Sequence, residues 1–151
     1  MMLYPIGIQS FEKLRTTGCV YVDKTEFIYR LTRVGNCCFL SRPRRFGKSL
    51  LISTLEAYFL GQKDLFKGLA IEKLEQEWNA YPVLHLDLNA QNYVSEEALH
   101  EELDKHLVIW EQTYGITIDK SLSPETRFYN VIHTIYKQTG KQVAVLVDEY
   151  D

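Results

Sequence analysis

The 151 residues contain no Cys-x-x-Cys pair, so neither a zinc site nor a disulfide framework is indicated. Cys19, Cys37 and Cys38, two of them adjacent, read instead as buried, reduced thiols of a cytosolic protein. Long apolar runs are missing too. No stretch approaches the ~18 residues that a membrane span needs. The N-terminal MMLYPIGIQS has no basic segment followed by a long apolar run, so neither a membrane partner nor a signal peptide is expected, and a cytoplasmic location is. Nor is there an excess of basic charge: 17 Lys and Arg stand against 20 Asp and Glu, a net charge of -3. That balance argues against a protein built wholly for nucleic acid. Repeats, low-complexity tracts and Pro/Gly-rich linkers are absent, and residues 1–151 read as one domain.

What is present suits a soluble globular chain: 46% apolar and 25% charged residues, with ten Tyr, seven Phe and two Trp for a core. Ser10 can cap a short helix over 10–16. A short strand is expected at 19–22, then a helix capped by Asp23, with Glu26 completing a capping box. Phe27, Ile28, Leu31 and Val34 form its apolar face and Gly35 its stop. Residues 37–41, Cys-Cys-Phe-Leu-Ser, lack polar alternation and predict a strand buried on both faces. A helix from Lys48 carries Leu50, Leu51, Leu55, Tyr58 and Phe59 and ends at Gly61; another starts near Ile71. A second strand is expected at 83–88. Ser95 caps a long helix with the stripe Leu99, Leu103, Leu107 and Trp110. Ser123 caps the next, with Pro124 at its first position and Val131, Ile132, Ile135 and Tyr136 inward. The last strand covers 143–147. Strands alternating with helices indicate an α/β sandwich with a mostly parallel sheet.

The segment SRPRRFGKSL, residues 41–50, carries the chemistry. Gly47-Lys48-Ser49 ends like a phosphate-binding loop, whose pattern is Gly, four residues, then Gly-Lys-Ser/Thr. Arg42 stands where the first Gly belongs, and Pro43 stiffens the same turn. Gly47 would let the backbone approach phosphates, Lys48 would reach the β and γ phosphates, and Ser49 would ligate Mg²⁺. An apolar run before the loop and a helix after it match the required order, because the helix N-terminus points free N–H groups at the anion. Arg42, Pro43, Arg44, Arg45, Phe46 and Leu50 complete the candidate nucleotide-contacting segment. A basic turn ahead of an amphipathic helix is the alternative.

The C-terminal VAVLVDEYD bears on that choice. It is an apolar strand ending in Asp148-Glu149. Nucleotide hydrolases of this class place a carboxylate at a strand tip to hold Mg²⁺ through water, with an adjacent acid to orient and deprotonate the attacking water. Asp148 suits the first role and Glu149 the second, with Lys48 as the catalytic cation. An apolar strand followed at once by acids also predicts a chain that stops inside its domain. Arg44 and Arg45 are compatible with assisting phosphates, gripping a nucleic-acid backbone or pairing with acids elsewhere. The competing readings are therefore an ATPase, a nucleic-acid-binding or regulatory module with a degenerate nucleotide pocket, and a small-molecule kinase. The Asp-Glu pair favours water activation over the kinase.

Other residues are assigned by capping or solvation. Asp23 caps a helix; Asp87 and Asn89, near the end of the second strand, serve a turn and a cap, or support Mg²⁺ from nearby. His85, His100, His106 and His133 form no metal pair, and His106 is expected on a solvated helix face.

YVDKT at 21–25, FLSRPRRFGKSLLISTLEAYF at 39–59 and VLVDEYD at 145–151 occur in an order and spacing that resembles the predicted AAA-ATPase-like family of bacterial P-loop proteins. The resemblance covers essentially the whole chain, and the block RPRRFGKS is its most specific part. The family uses Arg at the loop's start, so Arg42 looks like a family trait. The resemblance implies a three-layer additional-strand ATPase core, with the Asp-Glu strand beside the phosphate-loop strand. It also implies ATP and Mg²⁺ as ligands, and roles for Gly47, Lys48, Ser49, Asp148 and Glu149. Members commonly continue further and often carry a nuclease-like domain of the PD-(D/E)XK type, so hydrolysis is an expectation for the intact protein. Nothing in the residues sets an oligomeric state.

Overall fold

Ser10 starts the first helix where its hydroxyl predicts: it accepts a hydrogen bond from Lys13 N and opens α1, Phe11–Thr16. The computed structural model describes residues 3–35, 37–41, 43, 46–88 and 96–149. The chain divides into two compact units, Met1–Ala80 and Tyr81–Asp151, each with its own core.

In the first unit, α2 spans Thr25–Val34, α3 spans Lys48–Phe59, a single 3₁₀ turn covers Lys63–Phe66 and α4 covers Ala70–Leu74. Its centre is aromatic. Phe11 and Phe66 are fully buried, with ring centroids 4.9 Å apart. Tyr21 meets Phe11 edge-on at 5.3 Å, and Trp78 lies 5.1 Å from Phe66. Polar latches bind the pieces: Phe11 N donates to Ser53 Oγ at 2.9 Å, joining α1 to α3. Arg15 donates through Nε to Leu65 O and through Nη2 to Lys67 O, both at 2.7 Å. Gly61 ends α3 with φ +69°, and a Cβ there would lie 3.1 Å from Trp78 O, so this turn needs glycine twice over.

Asp23 does more than the sequence predicts. Its Oδ1 accepts from Thr25 N at 2.9 Å and Thr25 Oγ1 at 2.7 Å. Its Oδ2 accepts from Ala70 N at 2.7 Å, while Thr25 Oγ1 accepts from Ile71 N at 3.1 Å. Asp23 and Thr25 thus satisfy the orphan donors at the start of α4, as a cap supplied from a distant part of the chain. Burial works to raise the Asp23 carboxyl, but these donors hold it below its ordinary value. The N-cap position of α2 falls on Lys24, one residue later than expected, and Glu26 pairs with Arg30. A second carboxylate ties α2 to α3: Glu75 accepts from Tyr58 Oη at 2.6 Å and Arg33 Nη2 at 2.9 Å. Burial pushes Glu75 up, and the Tyr58 and Arg33 donors outweigh it and leave the carboxyl lowered.

Several expectations for this unit are corrected. Residues 37–41 form no strand, and Cys37, Cys38 and Phe39 are exposed. Unbroken apolar composition is compatible with a buried strand but does not by itself make one. At 19–22 there is one bridge, Leu3 to Cys19, and no strand. The cysteines are free, but Cys19 is only half-buried, so the buried-thiol expectation fails for all three. On α2, Ile28 is buried while Phe27 and Val34 are exposed; Thr25 takes the inward place because its hydroxyl serves α4.

In the second unit, β1 (Val83–Asp87) and β2 (Ala144–Asp148) pair in parallel, with Val83 opposite Ala144 and Asp87 opposite Asp148. Helices α5 (Glu96–Thr113) and α6 (Pro124–Thr139) complete it. Ser123 Oγ accepts from Thr126 N, and Pro124 opens α6 as predicted; the Ser95 cap lies outside the described residues. Leu84, Leu107, Trp110, Val131 and Ile135 form the core, whereas Tyr136 is exposed and Leu99 and Leu103 are half-buried. Inside the helix pair, Arg127 donates to Glu111 through Nε at 2.8 Å and Nη2 at 2.6 Å, and through Nη1 to Asp104. Arg127 hydrogen bonding, joined by Lys120, lowers the Asp104 carboxyl, and Glu111 raises the Arg127 guanidinium. The result is a mixed helix and strand chain with a small parallel sheet, compatible with an α/β fold. No helix among the described residues is long and apolar enough to cross a membrane.

Candidate functional site

Two short stretches hold the predicted site residues, one in each unit. In the first, Phe46 N donates to Pro43 O at 3.3 Å, closing a turn. Gly47 follows at φ +74° and ψ +30°, a left-handed conformation that glycine enters without penalty. Lys48, Ser49 and Leu50 are then the first three residues of the twelve-residue α3. Leu51 N returns to Gly47 O at 3.1 Å, so the helix is wound from its first turn. Leu50 O accepts from Thr54 Oγ1 at 2.7 Å. Lys48 to Leu50 are half-buried, while Phe46 and Pro43 are exposed.

This helix start has the chemistry of an anion site. Gly47 has no side chain to cap the first turn, and a Cβ placed there would meet nothing within 4 Å. No acid lies in the first turn of α3, where the positive end of the helix dipole favours an anion. Backbone amides, the Lys48 ammonium and the Ser49 hydroxyl can donate to phosphate oxygens, and the hydroxyl oxygen can also ligate a hard cation. The residues present therefore fit a phosphate-bearing nucleotide. Arg42, Arg44 and Arg45 lie outside the described residues.

In the second unit, Asp148 is the last residue of β2 and is only 7% exposed. Its Oδ1 accepts from Glu149 N at 3.0 Å, which satisfies one carboxylate oxygen locally. Glu149 turns at φ +55°. A left-handed non-glycine residue costs about 1–3 kcal/mol, and such strain clusters at functional turns. Asp87, the exposed last residue of β1, stands opposite Asp148, and Leu88 N donates to Asp148 O at 3.1 Å beyond it. Ligands of open α/β sheets meet this carboxyl end of the strands. An oxygen-only donor set of carboxylates suits Mg²⁺.

The Asp-Glu strand pairs with β1. Asn89 lies outside the described residues. His106 is not on a solvated face: its ring is 19% exposed, and Nε2 lies 3.3 Å from Asp87 O. The trans cap by Asp23 and Thr25, and the buried Arg127–Glu111 pair, also escaped the sequence reading. Glu111 sits four residues after Leu107, and Arg127 four before Val131. That i, i+4 spacing from apolar core positions was the available signal.

A family model described as Predicted AAA-ATPase matches residues 5–151. An "Uncharacterized protein in vnfD 5'region" from Azotobacter chroococcum mcd 1 is 39% identical over 148 residues. The match covers 97% of this chain and 28% of that relative, so the chain spans little more than a quarter of the relative's length. No solved structure matches it.

Proposed function

Because this chain belongs to the family of predicted AAA-ATPases, we propose that it binds ATP with Mg²⁺ and, in the intact protein, hydrolyses it to drive conformational change. On this reading the fold is the P-loop three-layer sandwich of an AAA-type core, to which residues 1–151 belong as one domain. The observation that carries the reading is the start of α3: Gly47 in the left-handed region, then Lys48 and Ser49 in a first turn without acids.

The roles follow from the donor types. The amides after Gly47 bind phosphate oxygens, and Lys48 neutralises the β and γ phosphates. Ser49 and Asp148 would each offer Mg²⁺ a hard oxygen, and the ion would offset the phosphate charge. Glu149 accepts the proton of the attacking water. Its carboxylate follows the buried Asp148 on a fixed turn, which supports one acid for the metal and a second for the water.

The test is calorimetric titration of ATP with Mg²⁺ into the wild-type chain and into Lys48→Ala. Saturable binding should weaken about 10- to 100-fold in the variant, the size of a lost charge-assisted contact. Equal binding by both folded chains would remove the phosphate from this loop.

A further inference from the structure

His106 is a side chain of α5 that reaches the carboxyl end of the sheet. Its Nε2 lies 3.3 Å from the Asp87 carbonyl oxygen and 3.7 Å from Glu102 Oε1. Its ring centroid is 5.6 Å from that of Trp110, which belongs to the apolar core. Glu102 is itself held by Lys105 at 2.9 Å. The ring is thus fixed between a core aromatic, a buried acid and the backbone of β1. A carbonyl oxygen only accepts, so Nε2 carries the proton in this contact.

What lies beyond that carbonyl gives the contact its meaning. Asp87 stands opposite Asp148, and the next amide, Leu88 N, donates to Asp148 O at 3.1 Å. The Leu88 N–H that holds the Asp148 backbone therefore belongs to the same peptide group as the carbonyl that His106 holds. We propose that His106 is a positioning residue for the metal-binding carboxylate edge: its Nε2–H anchors the end of β1 to α5 and so keeps the Leu88–Asp148 step in place. The proposal rests on the reading of Asp148 as a Mg²⁺ ligand. Side chains that orient a metal ligand without touching the metal are worth roughly 10- to 100-fold in metal affinity. The contact is long for a hydrogen bond, so the lower end of that range applies.

The experiment uses the full chain, wild type, His106→Ala and His106→Gln, because the Gln amide keeps a donor at similar reach. His106→Leu, which keeps volume without the donor, replaces the Ala variant should that chain fail to fold. The first readout needs no nucleotide: hydrogen exchange at the Leu88 amide, followed by NMR. Exchange should be roughly tenfold faster in His106→Ala, return to the wild-type rate in His106→Gln, and stay unchanged at Gly61 in all three. An unchanged Leu88 rate in the Ala variant overturns the anchor. The second readout is the ratio of ATP affinities with and without Mg²⁺. That ratio should fall roughly tenfold in His106→Ala while metal-free affinity holds, and Gln should restore it. A ratio equal to wild type, or no rescue by Gln, overturns the positioning role. A wild-type chain with no Mg²⁺-enhanced binding sinks the ATP reading alone, and the Leu88 exchange still decides the anchor.

Discussion

The two units support their motifs in opposite ways. The first presents the start of a helix, and behind it stand an aromatic core and carboxylates that hold backbone donors and half-exposed partners. Glu75, at the far end of α3 from Lys48, takes Tyr58 and an Arg33 that is 44% exposed. The second presents the end of a strand, and the helices beside it are locked by Arg127 and Glu111, at 4% and 2% exposure. Phosphate recognition asks for amides and a long, mobile cation. Metal recognition asks for a carboxylate that does not move. The difference in what lies behind each motif matches that difference in demand.

The sharpest way to break the contrast is to unpair a charge in each unit. Glu111→Ala takes two hydrogen bonds from a buried guanidinium, leaving it Asp104, and should cost about 3–5 kcal/mol, read as a urea midpoint with unchanged slope. The double variant Arg127→Met, Glu111→Leu should recover most of that loss, since a packed apolar pair avoids the desolvation penalty. Glu75→Ala should cost less, about 1–3 kcal/mol, because Arg33 can turn to water. Equal losses at Glu75 and Glu111 would erase the distinction. Smaller still, Asp23→Ala removes the cap from α4 and should cost about 1–2 kcal/mol; its effect should be confined to the first unit in an amide-exchange map.

Acid sharpens the comparison further. Asp23, Glu75 and Asp104 all have folded-state carboxyls below their ordinary values of 3.8, 4.5 and 3.8. Over that range the unfolded chain binds more protons than the folded one, so stability falls as pH falls. The contribution is fully present above the ordinary values and is lost as pH drops through the lowered ones. Urea midpoints between pH 7 and pH 3 should show a decline below about pH 4.5. Glu75→Gln and Asp104→Asn should each flatten that decline. A midpoint independent of pH in the wild type would contradict these assignments.

Much of the local structure was legible because local chemistry decides it. Ser10, Ser123 and Pro124 start helices, Gly61 ends one, and the apolar runs ending at Asp87 and Asp148 are strands. The loop residues Gly47 to Leu50 were readable for the same reason: a left-handed glycine and a helix start are local events. What could not be read depends on partners distant in sequence. Asp23 looks like a cap for the helix that follows it, yet its second oxygen serves α4 through Ala70, 47 residues away. Residues 37–41 have a strand's composition and form none. His106 lies among charged neighbours on α5, and only the fold brings the Asp87 carbonyl to it.

The central claim is that the Gly47–Ser49 loop holds phosphate while Asp148 holds the metal. The most direct measurement is ATP titration with and without Mg²⁺ into Lys48→Ala and Asp148→Asn. Lys48→Ala should weaken binding under both conditions, and Asp148→Asn only when Mg²⁺ is present. Two variants with the same Mg²⁺ dependence as the wild type would contradict that division of labour.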